Sequence, residues 1–325
     1  MKRRIRLGFA DFWKCFDPAD NLFTRLLRMR YEVVLDQRTP DLLISNNYSD
    51  RHHYYRCRKI WWDSEGDSPD YRECHGSLTF EPTSERNLYF PVWLLNHDIN
   101  TLVDRPAVDP DRLIGAKTRH CLFLVSNPVC EYRNRAFDVF AKHGAVDSPG
   151  KVRNNMPPIG GDARDPASTV ADPTLNWHDI KQRFTARYRF NIAFENKELP
   201  GYVTEKLIDP LVARVVPIYW GAEIVSELFN PDCFIHARDF PDLDALARFV
   251  HSIDEDAYRD YLMAPIFRDD RIPETLTDSY LADRLAERVE LAFSEPPIGN
   301  PLHYRAKKLS AGLHRRLRTW SAPAA

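Results

Sequence analysis

The densest group of residues with usable chemistry lies between Phe190 and Gly221. An apolar run there ends in Glu195-Asn196, a turn containing Gly201 follows, and a helical pattern opens with Thr204-Glu205-Lys206. A strand-to-helix turn presents unpaired backbone N–H groups and the positive end of the helix dipole, which both favour a phosphate or diphosphate. Lys206 would add a point charge. The same residues also fit an ordinary helix start, with Glu205 in the first turn for the sake of the dipole and Lys206 a solvated surface lysine. Type and spacing leave both readings open.

Other groups carry less. Asp109-Pro110-Asp111 fits the Asp-x-Asp string on which many transferases hold a divalent metal, but it falls outside the strand ends where a ligand would be held, and short acidic pairs are common. We expect no metal there. His52, His53 and His75 have no further ligand at metal spacing and read as solvated or core histidines. The six cysteines form no CxxC pair and read as buried free thiols.

The elements that must position these residues follow from periodicity. In the first third, strand-like runs at 5–10, 32–35, 41–45 and 58–62 alternate with a helical run at 20–30, the order of a parallel sheet. A further run at 76–80 leads into Glu81-Pro82-Thr83-Ser84-Glu85-Arg86, a loop leaving the carboxyl end of a strand, where ligands gather. Asp104 to Lys117 has two prolines and little periodicity, and is read as a domain linker. A second series then begins, with strands at 120–127, 189–196 and 215–221, helices at 133–144 and 202–213, and short helical patterns over 241–293. Asn154 to Pro173 is a long loop rich in Pro, Gly and Asp. The expected division is an α/β domain at 1–116, a second at 117–293 and a tail at 294–325.

At 325 residues, 43% hydrophobic and with a formal net charge of −2, the chain is an ordinary globular protein of about two domains. Near-neutral charge argues against a nucleic-acid binder held by phosphate contacts. No uncharged apolar stretch approaches the ~20 residues of a membrane-spanning helix. Asp11 interrupts the apolar run after the basic start and no small-residue cleavage site follows, so the expected location is the cytoplasm. The tail carries Arg305, Lys307, Lys308, Arg315, Arg316 and Arg318, with Leu309, Leu313, Leu317 and Trp320 at helical spacing. That pattern suits adsorption to the anionic inner face of a cytoplasmic membrane, and equally a terminal helix packed on the body.

Three linked runs, FNIAFEN, GYVTEK and VPIYWG, resemble in order and spacing the signature of the α-1,3/4-fucosyltransferases, glycosyltransferase family 10. IRLGFADFW, PDLLIS, SNPVCEYRNRAF and VDSPGKVRNN are similar to bacterial members, so the resemblance covers most of residues 5–240. It implies a GT-B fold, two Rossmann-like domains with a cleft between them, the first holding the acceptor and the second GDP-fucose. By position it makes Arg133 and Lys206 contacts of the donor diphosphate, Glu205 the carboxylate at the fucose ring, and Asn196 and Tyr202 residues of the donor pocket. Arg153 and Asn154 match positions near the donor cleft, and a solvated loop fits them as well. Glu81 matches the general base, with Glu85 as competitor across a short gap.

The implied reaction is a single displacement on GDP-β-L-fucose by a hydroxyl, O3 of GlcNAc, of an oligosaccharide or lipopolysaccharide acceptor, giving an α-fucoside. It requires no cofactor and no metal for catalysis. General-base assistance contributes about 10²–10⁴ in rate, and charge stabilisation at the departing diphosphate adds to it. Two departures from the family pattern bear on substrate preference. Lys197 stands where a serine is usual, and Trp62-Asp63-Ser64-Glu65-Gly66 only partly matches a GEN-containing run. Another GDP-deoxysugar as donor, or a non-catalytic carbohydrate-binding relative, are the alternatives.

Overall fold

The computed structural model describes residues 2–159, 177–299 and Tyr304. The chain forms two units, one holding residues up to Phe90 together with the segment from Glu274, the other Pro91–Pro273.

The first unit is built on a parallel sheet of β1 (Arg4–Ala10), β2 (Glu32–Leu35), β3 (Leu42–Ser45), β4 (Arg58–Trp62), β5 (Gly76–Thr79) and β6 (Asn87–Tyr89). Its order is β2-β1-β3-β4-β5-β6. A parallel sheet covered on both faces needs nearly continuous apolar strands, and Leu42, Leu43 and Ile44 are accordingly fully buried. The helix Leu22–Arg30 begins at Asn21, whose side chain accepts the Thr24 N–H at 2.9 Å. It sends Phe23 against Trp62 and Phe90.

The helix Asp278–Ser294 also belongs to this unit, although the sequence reading ends the second domain at 293. Arg288, 3% exposed, anchors it by donating to the carbonyls of Asn87, at 2.9 Å, and Ser84. Arg30 pairs with Asp283 at 2.6 Å, and the Tyr31 hydroxyl donates to Glu290 at 2.8 Å. The first boundary likewise falls at Phe90 rather than 116. The presumed linker is anchored within the second unit: Ile114 is buried, and Arg105 donates to the Leu211 carbonyl at 3.3 Å. Its prolines misled the reading, because Pro110 occupies the first turn of the helix Pro110–Gly115, where a missing N–H costs nothing.

The second unit carries β7 (Arg119–Leu122), β8 (Val146–Asp147), β9 (Tyr188–Phe194), β10 (Val216–Trp220) and β11 (Ile235–His236), all parallel, in the order β11-β10-β9-β7-β8. Phe123, Phe140, Phe190, Ile218, Leu246 and Tyr258 share one buried core. From β7 the chain moves to β8 on one side, and from β9 to β10 on the other. The carboxyl ends of β7 and β9 therefore frame a crevice where the winding reverses, the place ligands occupy in such sheets. The Rossmann-like character expected of both halves is borne out. Among the described residues no helix is long and apolar enough to cross a membrane. All six cysteines are free, five buried and Cys15 exposed. The basic tail from Asn300 and most of the 154–173 loop lie outside the described residues.

Candidate active site

The crevice of the second sheet holds a cavity of about 230 Å³ lined by the segment 124–127 after β7, by 191–194 and Asn196 at the end of β9, and by Arg133, Lys181, Glu205, Lys206 and Asp209. Its chemistry is built outward from Glu195, the first residue past β9 and 0% exposed. A bare carboxylate there would be costly, and three groups meet it. The Thr204 N–H donates to Oε1 at 2.8 Å, the Thr204 hydroxyl to Oε2 at 2.7 Å, and Lys206 Nζ lies 3.4 Å from Oε2. Gly221 makes room for this packing, since a methyl there would come within 2.6 Å of Glu195 Cγ.

Thr204 is also the N-cap of the helix Glu205–Val212, accepting the Lys206 N–H at 3.4 Å. The strand end and the helix start are thereby locked together. Gly201, at φ 77°, supplies the left-handed turn between them. Lys206 Nζ reaches Glu205 Oε1 at 3.2 Å and Thr204 Oγ1 at 3.1 Å. Burial alone would lower the Lys206 pKa, but Glu195 and Glu205 hold it above its ordinary value, so the ammonium stays charged. Burial dominates at Glu195 and pushes its pKa up. At Glu205 burial acts in the same direction but is outweighed by Lys206 and Lys181, and the pKa falls below the usual carboxylate value.

Arg133 stands on the helix Glu131–His143, only 1% exposed. It donates to the Phe194 carbonyl at 3.4 Å, to Asn196 Oδ1, and to the Asn127 carbonyl at 2.5 Å. Its guanidinium thus clasps the ends of β7 and β9, while Nε is buried with no hydrogen-bond partner among the described residues. Burial lowers its pKa, yet an arginine stays charged at any working pH.

The structure brings Arg133, Asn196, Glu205 and Lys206 together in one cavity. It does not bring Tyr202, Arg153 or Asn154 to that cavity's wall. Tyr202 is buried at 2% exposure, and its carbonyl accepts from Tyr219. Arg153 is exposed and paired with Asp138 at 2.7 Å. Asn154 spends its amide on the carbonyls of Ser148, Gly150 and Met156, holding its own loop in shape. Glu81 belongs to the first unit, just past β5, exposed, with the Ser68 hydroxyl donating to it at 3.0 Å. Glu85 lies in the same exposed loop. Asp109 caps the helix Pro110–Gly115, and Asp111 pairs with Arg259, which accounts for the Asp-Pro-Asp string structurally.

Sequence reasoning missed Lys181, Asp209 and His97. The Asp209 carboxylate takes His97 Nε2 at 2.8 Å and the Lys181 ammonium, placing a third cation on the cavity wall. No spacing signals this set, because its members come from three separate segments. His75 is a core histidine, with Nδ1 accepting the Lys59 N–H and Nε2 facing the Pro296 carbonyl, both at 3.0 Å. His52 and His53, expected to lack a further ligand, meet the carboxylate of Glu73.

Comparison with known proteins agrees with both units. The family description "Alpha-(1,3)-fucosyltransferase FucT N-terminal domain" matches residues 7–96, and "Glycosyltransferase family 10 (fucosyltransferase) C-term" matches 114–264. The chain is 25% identical over 302 residues to the alpha-(1,3)-fucosyltransferase FucT of Helicobacter pylori, covering 79% of this chain and 59% of that one. It is 26% identical over 217 residues to the 3-galactosyl-N-acetylglucosaminide 4-alpha-L-fucosyltransferase FUT3 of Bos taurus, covering 63% of this chain and 51% of that one. The chain thus spans between half and two thirds of the length of these relatives. In fold it is similar to a crystal structure of an alpha1,3-fucosyltransferase with GDP-fucose, at a TM-score of 0.69 and 20% identity, over 92% of this chain and 94% of that one. With one family matching both the first sheet and the cavity-bearing second sheet, the chain belongs to glycosyltransferase family 10, the fucosyltransferases.

Proposed function

We propose that the chain transfers L-fucose from GDP-β-L-fucose to a hydroxyl of an oligosaccharide or lipopolysaccharide acceptor, with inversion to an α-fucoside. The observation that carries this reading is the convergence of Arg133, Lys206, Asn196 and Glu205 on one cavity at the switch point of the second sheet. A diphosphate there meets the start of the helix Glu205–Val212, the charged Lys206 and the remaining N–H groups of Arg133. These donors stabilise negative charge that grows as the glycosidic bond breaks. Glu205, held ionised by the lysines, stabilises the positive charge that develops on the sugar. Asn196 is oriented by Arg133 and holds the donor. Glu81 of the first unit takes the acceptor proton, so the attacking oxygen gains nucleophilicity as it bonds. One displacement at the anomeric carbon inverts it.

Basic side chains and a helix terminus do the work a metal does elsewhere, so catalysis needs no divalent ion. The acceptor hydroxyl is proposed to be O3 of GlcNAc; the Helicobacter relative, named an alpha-(1,3)-fucosyltransferase, supports the position of the linkage. The reaction is placed in the cytoplasm, with the basic series of residues 305–318 adsorbing to an anionic membrane. Flotation with anionic vesicles checks the last point, and equal recovery of full-length and tail-truncated protein would discard it.

Purified protein should hydrolyse GDP-fucose slowly, transfer fucose to N-acetyllactosamine-type or lipopolysaccharide acceptors, and bind GDP in preference to UDP by calorimetry. Neither hydrolysis nor transfer with any such acceptor overturns the donor assignment. Tighter binding of UDP overturns the nucleotide.

A further inference from the structure

The first sheet has its own reversal of winding, between β1 and β3, and a second constellation sits at those strand ends. Asp11, the residue after β1, is buried and held at φ 66°, a conformation uncommon for anything but glycine. Its carboxylate takes the Ser49 hydroxyl at 2.5 Å, the Arg51 N–H at 2.7 Å, the His52 N–H at 3.1 Å and His52 Nδ1 at 2.5 Å. A carboxylate only accepts, so this bond puts a proton on Nδ1, and Nε2 is the nitrogen through which the neutral ring can bind a ligand. That atom lies 3.6 Å from Glu73 Oε2, and His53 Nε2 lies 3.9 Å from the same oxygen. The three ligand atoms fall within 4.8 Å of one another.

We propose that His52, His53 and Glu73 bind one first-row divalent cation of the zinc class. A tetrahedral ion with ligands at about 2.0–2.2 Å needs them roughly 3.3–3.5 Å apart; Glu73 is within a few tenths of an ångström of that spacing from both imidazoles, and the two imidazole nitrogens, within 4.8 Å of each other, draw together on binding by a side-chain adjustment of up to about 1.3 Å. Two imidazoles and one carboxylate suit zinc or cobalt, whereas calcium and magnesium require oxygen ligands. The carboxylate–histidine pair of Asp11 and His52 is the outer-shell arrangement that fixes the tautomer and orientation of a metal-bound histidine. It also gives the strained backbone of Asp11 a purpose. The remaining coordination position opens to a cavity of about 180 Å³ bordered by Ser45, Trp61, Ser68 and Asp70. Bound there, the ion ties the turn Arg51–Tyr54 after β3 to the turn before β5.

The test uses full-length protein stripped with EDTA, dialysed, and titrated with ZnCl2 by calorimetry and with CoCl2 by visible d–d absorption. One equivalent per chain is expected. Glu73→Gln and His53→Ala, both at accessible positions that leave the fold intact, should each weaken binding by at least ~10-fold, and Asp11→Asn by roughly 10–100-fold. A His178→Ala control in the second unit should leave the affinity unchanged. Wild-type protein binding no tighter than Glu73→Gln, or a tight equivalent surviving His53→Ala, overturns the proposal.

Discussion

Replacing Lys206 by Met separates its two roles. The side chain keeps its length and loses its charge, leaving the fully buried Glu195 without the ammonium 3.4 Å away. Removing one member of a buried ion pair costs about 3–5 kcal/mol, because the other charge is left uncompensated. Lys206 is 21% exposed and Glu195 keeps both bonds from Thr204, which favours the lower end, about 3 kcal/mol. At ~2–4 °C per kcal/mol for a unit of this size, melting should fall by roughly 6–12 °C. The deficit should shrink at acid pH, where Glu195, already above its ordinary pKa, takes up a proton. Loss of the cation facing the diphosphate should lower kcat by about 10²–10³. Adding Glu195→Gln removes the stranded charge, so the double variant should melt near wild type while kcat stays low. Calorimetric melting and GDP-fucose turnover measure the two effects. A double variant that regains turnover along with stability would show that Lys206 serves only the fold, and a single variant with unchanged turnover would refute the diphosphate contact outright.

Glu81→Gln should reduce kcat by about 10²–10⁴ with GDP affinity unchanged, whereas Glu85→Gln should stay near wild type; the reverse order would exchange their roles. Arg153→Ala should leave GDP affinity by calorimetry unaltered, since its partner is Asp138 and it does not line the cavity proposed to hold the donor. Lys117 donates to the carbonyls of Ala186 and Arg214, and burial, reinforced by Arg214 and Arg105, brings its pKa down to about 7. In the unfolded chain it holds its proton to ~10.4, so between those values the unfolded state binds more protons and stability rises with pH. Urea unfolding between pH 7 and about pH 8, below the range in which the unfolded chain's cysteines ionise, should show that rise, and Lys117→Met should flatten it.

The strands were legible because covering both faces of a parallel sheet leaves an apolar signature in each, as in DLLIS and FNIAF. Glu205, Lys206 and Asn196 were legible because one strand–turn–helix carries them all. Arg133 was visible only through the family resemblance, since nothing in EYRNRAF says that its third residue turns inward. The cavity's other charges escaped notice for a topological reason. His97, Lys181 and Asp209 meet only after three segments have packed, and their pairing stabilises side chains whose isolated patterns resemble solvated surface. Arg153 and Asn154 show something the sequence pattern does not contain, their local partners. They sit at matching positions, yet local bonds to Asp138 and to the loop's own carbonyls occupy them. The domain boundaries were misplaced because an amphipathic helix such as Asp278–Ser294 announces that it covers a sheet, not which one.

That returning helix has a consequence for how the protein is made. The cavity-bearing unit is an uninterrupted stretch, finished at Pro273, whereas the unit containing Asp11 and Glu81 is split and lacks one of its walls until residues past Asp278 have been synthesised. On the ribosome the later-encoded half can therefore mature before the earlier-encoded one, whose apolar β4 and β5 stay uncovered in the meantime. Premature termination near Pro273 should leave a finished cavity-bearing lobe attached to an aggregation-prone sheet, rather than a clean half-molecule.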